Sequence, residues 1–141
     1  MLFRSLNSAY GALGSQYFRF YDLRMALGVT TAGQLSIRWI ENKINEYMNK
    51  LVGTEGEDYV IASDTDSIYL KLGPLIDKFI KDQTDTGRVI SIMDKICEDK
   101  LQPFIDRSYQ ELAEYVHAYA QKMQMKREGL SDKGVWTAKK R

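Results

Sequence analysis

From Leu35 to Leu51 apolar residues recur every three or four positions: Leu35, Trp39, Ile40, Ile44, Tyr47, Met48 and Leu51. That spacing paints one face of a 3.6-residue helix. Thr30 and Thr31 stand before it as N-caps, so the predicted helix runs from there to about Lys50. A shorter helical pattern, Leu2, Leu6, Tyr10 and Leu13, covers residues 1–13 and ends at Gly11 and Gly14. Between the two, "QYFRFYDLR" sets Tyr17, Phe18, Phe20 and Tyr21 among arginines in neither period, and reads as irregular or extended chain. "GTEGED" is a turn.

In the second half, "YVIASDTDSIYL" is an apolar run with four polar residues at its centre. It predicts two short strands, 59–63 and 67–72, with Asp64 and Asp66 where a hairpin bends. "GPLIDKFIK" is a short helix with Pro74 early in it. Val89, Met93, Ile96 and Leu101 continue with helical spacing, Pro103 predicts a break or kink, and a further helix carries Phe104, Ile105, Leu112, Tyr115 and Val116 to about His117. Tyr119, Gln121, Met123 and Met125 then alternate with period two, and "GVWTAKKR" is a returning strand. His117 has no partner at metal-ligand spacing and is a helix-end residue.

Composition adds boundaries. At 141 residues with 44% apolar content, the chain is one domain's worth of core-forming sequence or a piece of something larger. It has no apolar block long enough for a membrane span and no signal-peptide pattern at its start. The single cysteine, Cys97, excludes an internal disulfide, fits a reducing, cytoplasmic compartment, and reads as a small core residue. The chain's net charge is +1, yet from Tyr119 onward seven Lys and Arg face only Glu128 and Asp132. Such a basic end is either a solvated terminus or a surface for phosphates.

The two aspartates of "DTDS" have two readings as well. Asp and Ser favour exposed turns. The flanking strands, however, lack polar alternation, which predicts a hairpin covered on both faces. Two carboxylates buried at its tip would repel and desolvate each other without a cation. Mg²⁺ suits that chemistry, being held by one or two carboxylates plus substrate phosphates. An EF-hand does not fit, because Ile68 and Tyr69 stand where it needs an oxygen ligand and a glycine.

"DTDSIY", preceded upstream by "NSAYGALG" and followed by "WTAKKR", resembles the family B DNA-directed DNA polymerases, most closely those of tailed bacteriophages. The three motifs stand in family order and together span residues 1–141. The resemblance implies an α+β fold: a small antiparallel palm sheet carrying the DTDS hairpin and the late strands, packed on long helices. Residues 1–14 would end the fingers helix, and 15–141 would form an incomplete palm. It implies Asp66 as the catalytic metal ligand and Asp64 as its supporting neighbour. Asn7, Tyr10, Gly11 and Arg4 would face the nucleotide, and Lys139, Lys140, Arg141 and Glu128 would lie along the DNA near the primer end. Two Mg²⁺ ions, with Mn²⁺ as a substitute, would be the cofactors of nucleotidyl transfer. Primer-template DNA and dNTP would be the partners, with no membrane.

The sequence departs from the family at three places. Phe3 stands where the family has a triphosphate-binding lysine, and Arg4, one residue on, is rotated by roughly 100° on a helix. Ala62-Ser63 replaces the usual Tyr-Gly, and the grip motif ends before its tyrosine. The family's other palm aspartate, its exonuclease and its thumb have no match in these residues. The expectation is a polymerase part, inactive alone and completed by a second polymerase chain. The alternative is a non-catalytic remnant that binds DNA or a partner. Paired carboxylates favour the first.

Overall fold

The computed structural model describes residues 10–64, 67–80 and 85–135. Residues 10–13 are helical and Gly14 turns out of the helix, as its glycines predict. Helix α1, Leu23–Val52, starts where Asp22, in extended conformation, turns its carboxylate onto the backbone N–H groups of Arg24 and Met25. This cap satisfies donors that a first helical turn leaves unpaired. The predicted start at Thr30 and Thr31 is therefore corrected. Both lie inside α1, and the Thr30 hydroxyl donates to the carbonyls of Ala26 and Leu27. The cause is the spacing of Leu23, Met25, Leu27 and Val29. Residues two apart point to nearly opposite sides of a helix, so they make no single stripe, and all four are exposed.

The rest of α1 follows its stripe. Ile40, Ile44 and Met48 are completely buried, while Trp39, Tyr47 and Leu51 pack at the edge of the core. Leu35 remains exposed. Gly53 ends the helix in the left-handed region, φ 86°, and its N–H reaches the Asn49 carbonyl. Strands β1, Val60–Asp64, and β2, Ser67–Leu70, pair antiparallel in a two-stranded sheet. Helix α2, Gly73–Phe79, has Pro74 in its first turn, and its Lys78 ammonium caps the last carbonyls of α1, those of Leu51 and Val52.

Helix α3, Thr86–Ile96, is capped by Asp85 and runs through a π-helical turn, Cys97–Leu101, into helix α4, Gln102–Tyr115. No break occurs at Pro103. Proline lacks an N–H and its ring crowds the carbonyl four residues back. The wide turn, in which the Gln102 N–H reaches back to Cys97, shifts the register there and leaves Pro103 in the first turn of α4. Helices α1 and α4 lie antiparallel. Trp39 stacks on Tyr115 and Tyr47 on Phe104, with ring centroids 5.6 and 4.2 Å apart, while Trp39 Nε1 donates to the Ser108 carbonyl at 2.9 Å. Met93, Cys97, Leu101, Ile105, Tyr109 and Leu112 complete the core, with Cys97 buried as predicted.

The fold is thus helices beside a small antiparallel sheet, the α+β class in its coarse form. The late strand expected over residues 119–125 is corrected: residues 119–135 form no strand. A strand needs a free edge to pair with, and this segment instead lies against the helices: Gln102 donates to the Met125 carbonyl, and Met125 and Leu130 pack on the core. The returning strand expected in "GVWTAKKR" lies, beyond Val135, outside the described residues. His117 sits just beyond α4 with a left-handed φ of 53°. No helix among the described residues is long and apolar enough to cross a membrane.

Candidate functional site

The last described pair of the hairpin is Asp64 opposite Ser67. Thr65 and Asp66, which stand between them in the sequence, lie outside the described residues. Asp64 is exposed, and its carbonyl accepts the Ser67 hydroxyl at 3.1 Å. The expectation of a hairpin covered on both faces is corrected here. Ile68 and Leu70 pack toward the core, but Ile61 and Tyr69 are exposed. The ladder is irregular between Val60 and Ala62, leaving Ile61 as the additional residue of a bulge. With one face open, Asp64 is exposed, so burial supplies no case for a cation there.

The root of the hairpin is held tightly. Asn45 and Asn49 lie one turn apart on α1. Asn45 Oδ1 accepts the Tyr59 N–H at 2.8 Å, and its Nδ2 donates to Asp58 Oδ1 at 2.9 Å. Asn49 uses its whole amide. Its Nδ2 donates to the Asn45 and Glu57 carbonyls at 2.9 and 2.8 Å, while its Oδ1 accepts the Thr54 hydroxyl and the Glu57 N–H at 2.8 and 3.1 Å. The Thr54 hydroxyl also meets the buried Tyr59 hydroxyl at 2.7 Å, and the Lys71 N–H closes on the Tyr59 carbonyl at 2.8 Å. Sequence reasoning overlooked this network. Its one signal was a pair of asparagines, poor helix formers, inside a helix and just before "GT".

Of the other implied site residues, Tyr10 and Gly11 are exposed at the helical turn before Gly14, and a Cβ added at Gly11 would meet, beyond its own helical turn, no described atom within 4 Å. Glu128 is exposed on the extended segment that follows α4. That segment packs on α3 and α4, whereas Asp64 stands on the hairpin rooted on α1. Asn7, Arg4, Lys139, Lys140 and Arg141 lie outside the described residues. Arg127, beside Glu128, bridges Asp94 and Glu98 across the first turn of the π segment. Burial pushes the Cys97 thiol above its ordinary value, against the opposing pull of the Arg127 charge.

Among the described residues, no three His, Cys, Asp or Glu side chains converge as a metal cluster. The donors at the hairpin tip are all hard oxygens: the exposed Asp64 carboxylate, the Ser67 hydroxyl and, by sequence, Thr65 and Asp66. Such a set suits Mg²⁺, which keeps several waters and takes few protein carboxylates. It does not suit zinc or copper, which seek nitrogen or sulfur.

The described part of the site is thus an exposed aspartate, Asp64, at the end of a strand whose root is tied to α1. The chain is 44% identical over 145 residues to the DNA-directed DNA polymerase of Escherichia phage RB69, and 43% identical over 148 residues to that of Enterobacteria phage T4. Each match covers 96% of this chain but only 16% of the polymerase. The DNA polymerase delta catalytic subunit of Candida albicans is 35% identical over 69 residues, 49% of this chain and 7% of that subunit. No protein-family model matches the chain. Over nearly its whole length the chain thus matches a segment of the phage DNA polymerases, and it spans about one sixth of those relatives' length.

Proposed function

We propose that this chain supplies part of the active site of a template-directed, family B DNA polymerase. Residues 1–14 end its fingers helix and 15–141 belong to its palm. Asp66 and Asp64 are its metal-binding carboxylates. The observation that supports this reading is the antiparallel pairing of Asp64 with Ser67, the first and last residues of "DTDS", within a segment 44% identical to a phage polymerase. Bound there, Mg²⁺ would activate the primer hydroxyl and offset charge on the leaving pyrophosphate. The chain's own residues hold and orient. Asp64 stands at the strand end, where solvent and substrate reach it. Asn7, Tyr10, Gly11 and Arg4 face the incoming dNTP, Tyr10 offering a flat surface to bases. Lys139, Lys140 and Arg141, with Glu128 nearby, follow the primer strand. A second polymerase chain completes the site, and the setting is the host cytoplasm.

Primer extension with Mg²⁺ tests this reading, using the chain alone and then mixed with the N-terminal part of a related phage polymerase. Extension in the mixture only, abolished by Asp66→Asn, is the expected result. No extension in a mixture shown to associate would favour the non-catalytic remnant and point to Phe3 and Arg4 as the defect.

A further inference from the structure

The two strands of the hairpin are short, and among the described residues Ile68 and Leu70 of β2, with Leu72 just beyond, pack on the core while Ile61 is exposed. What fixes the hairpin's direction is its root, where a single buried residue, Tyr59, immediately precedes β1. Tyr59 is gripped at both ends: its N–H by Asn45 and its hydroxyl by Thr54, which in turn is held by Asn49. Asn49 also takes both the N–H and the carbonyl of Glu57, so the loop between α1 and β1 is tied to the last turns of α1.

We propose that Asn45 and Asn49 are positioning residues for the candidate site, acting through Thr54 and Tyr59 to set the direction of the hairpin whose first strand ends at Asp64. The chemical part of this inference rests on the polymerase reading, and the geometric part does not. Asn45 and Asn49 touch no reacting atom. Their bonds convert the rigidity of α1 into a fixed direction for the start of β1. A displacement of about 1 Å at a reacting centre costs on the order of a hundredfold in rate, so a hairpin free to swing at its root would bind nucleotide and turn over slowly.

The geometric claim is read by NMR on the full 141-residue chain. Residual dipolar couplings and order parameters would be compared for the amides of residues 60–64 and 67–70 and for those of α1 and α4. In Asn45→Ala and Asn49→Ala the hairpin couplings should shift relative to α1, and its order parameters should fall from about 0.85 toward 0.6, while α1 against α4 stays unchanged. Thr54→Ser, which keeps the hydroxyl, should match the unsubstituted chain. Should Asn49→Ala fail to fold, Tyr59→Phe gives the same decision, since it removes one hydroxyl and keeps the buried ring. Hairpin couplings unchanged in the variants that fold would overturn the proposal. In the complementing mixture, the variants should lower kcat roughly 10- to 100-fold with the dNTP KM within about twofold. A reoriented hairpin with undiminished kcat would also overturn it. If the unsubstituted chain gives no extension, the polymerase reading fails instead, and the couplings still decide the positioning.

Discussion

The two halves of α1 are one continuous helix in two environments. From Ile40 to Val52 it lays Ile40, Ile44 and Met48 wholly inside a core shared with α2, α3 and α4. From Leu23 to Leu35 only Ala26 is buried, and Leu23, Met25, Leu27, Val29 and Leu35 stay exposed, next to the exposed aromatics Tyr17, Phe20 and Tyr21. Backbone hydrogen bonds and the Asp22 cap carry the first half, whereas packing carries the second. The candidate site belongs with the packed half. Its root is tied to Asn45 and Asn49, so the well-buried part of the helix is also the part that aims the hairpin.

The sharpest way to break this comparison is to cut into each half. Ile44→Ala should lower the unfolding free energy by about 2–5 kcal/mol, because the cavity it leaves is enclosed. Val29→Ser should stay within about 0.5 kcal/mol, because its side chain already meets water. Urea denaturation followed by circular dichroism distinguishes the two, and equal effects would mean that the first half is covered in solution. Trp39→Phe comes next, at about 1 kcal/mol by the same measurement. It keeps a ring against Tyr115 while leaving the Ser108 carbonyl without its indole donor.

A pH titration separates the core from the surface. Burial pushes Tyr109 above the ordinary tyrosine value, as it does the Cys97 thiol. Both groups are therefore easier to ionise in the unfolded chain. Stability is fully present below their unfolded values and is lost as the pH rises through the folded ones. Tyrosinate absorbance of Tyr109 and alkylation of Cys97 should accordingly rise together with alkaline unfolding, not before it. Tyr109 ionising in a still-folded chain would contradict the buried packing of α4.

The smallest effect belongs to the exposed end. The Arg24 guanidinium, with the backbone N–H groups of Arg24 and Met25 after it, holds the Asp22 carboxyl below its ordinary range despite some desolvation. Capping is therefore present above the ordinary carboxylate value and is lost as the pH falls through the lowered one. Asp22→Ala at neutral pH and acid in the unsubstituted chain should produce the same change. Amide exchange should quicken over the first turn of α1, with the global unfolding midpoint unmoved. A lowered midpoint would show that the two halves are cooperative after all.

Local chemistry was enough to locate most of the elements. An apolar run interrupted by the polar "DTDS" marked the hairpin within a residue or two of β1 and β2. Pro74 marked α2, and the stripe from Trp39 to Leu51 marked the packed half of α1. These features depend on neighbours in sequence, so the sequence contains them. The "DTDS" and "NSAYG" motifs pointed to the same phage polymerases that the whole-chain comparison then matched. Folding decided what depends on distant residues. Asp22 competes with Thr30 as a cap, and a helix with apolar residues on two sides gives no stripe by which to choose. The π turn follows from where Met93, Cys97, Leu101 and Ile105 must all point into one core around Pro103. Residues 119–125 have a strand's period but lie against α4, because ladder pairing depends on which edges are within reach, and no spacing encodes that. Asp64 is exposed because one face of its hairpin is uncovered, and burial is a property of the whole assembly of elements, not of the stretch that carries the aspartate.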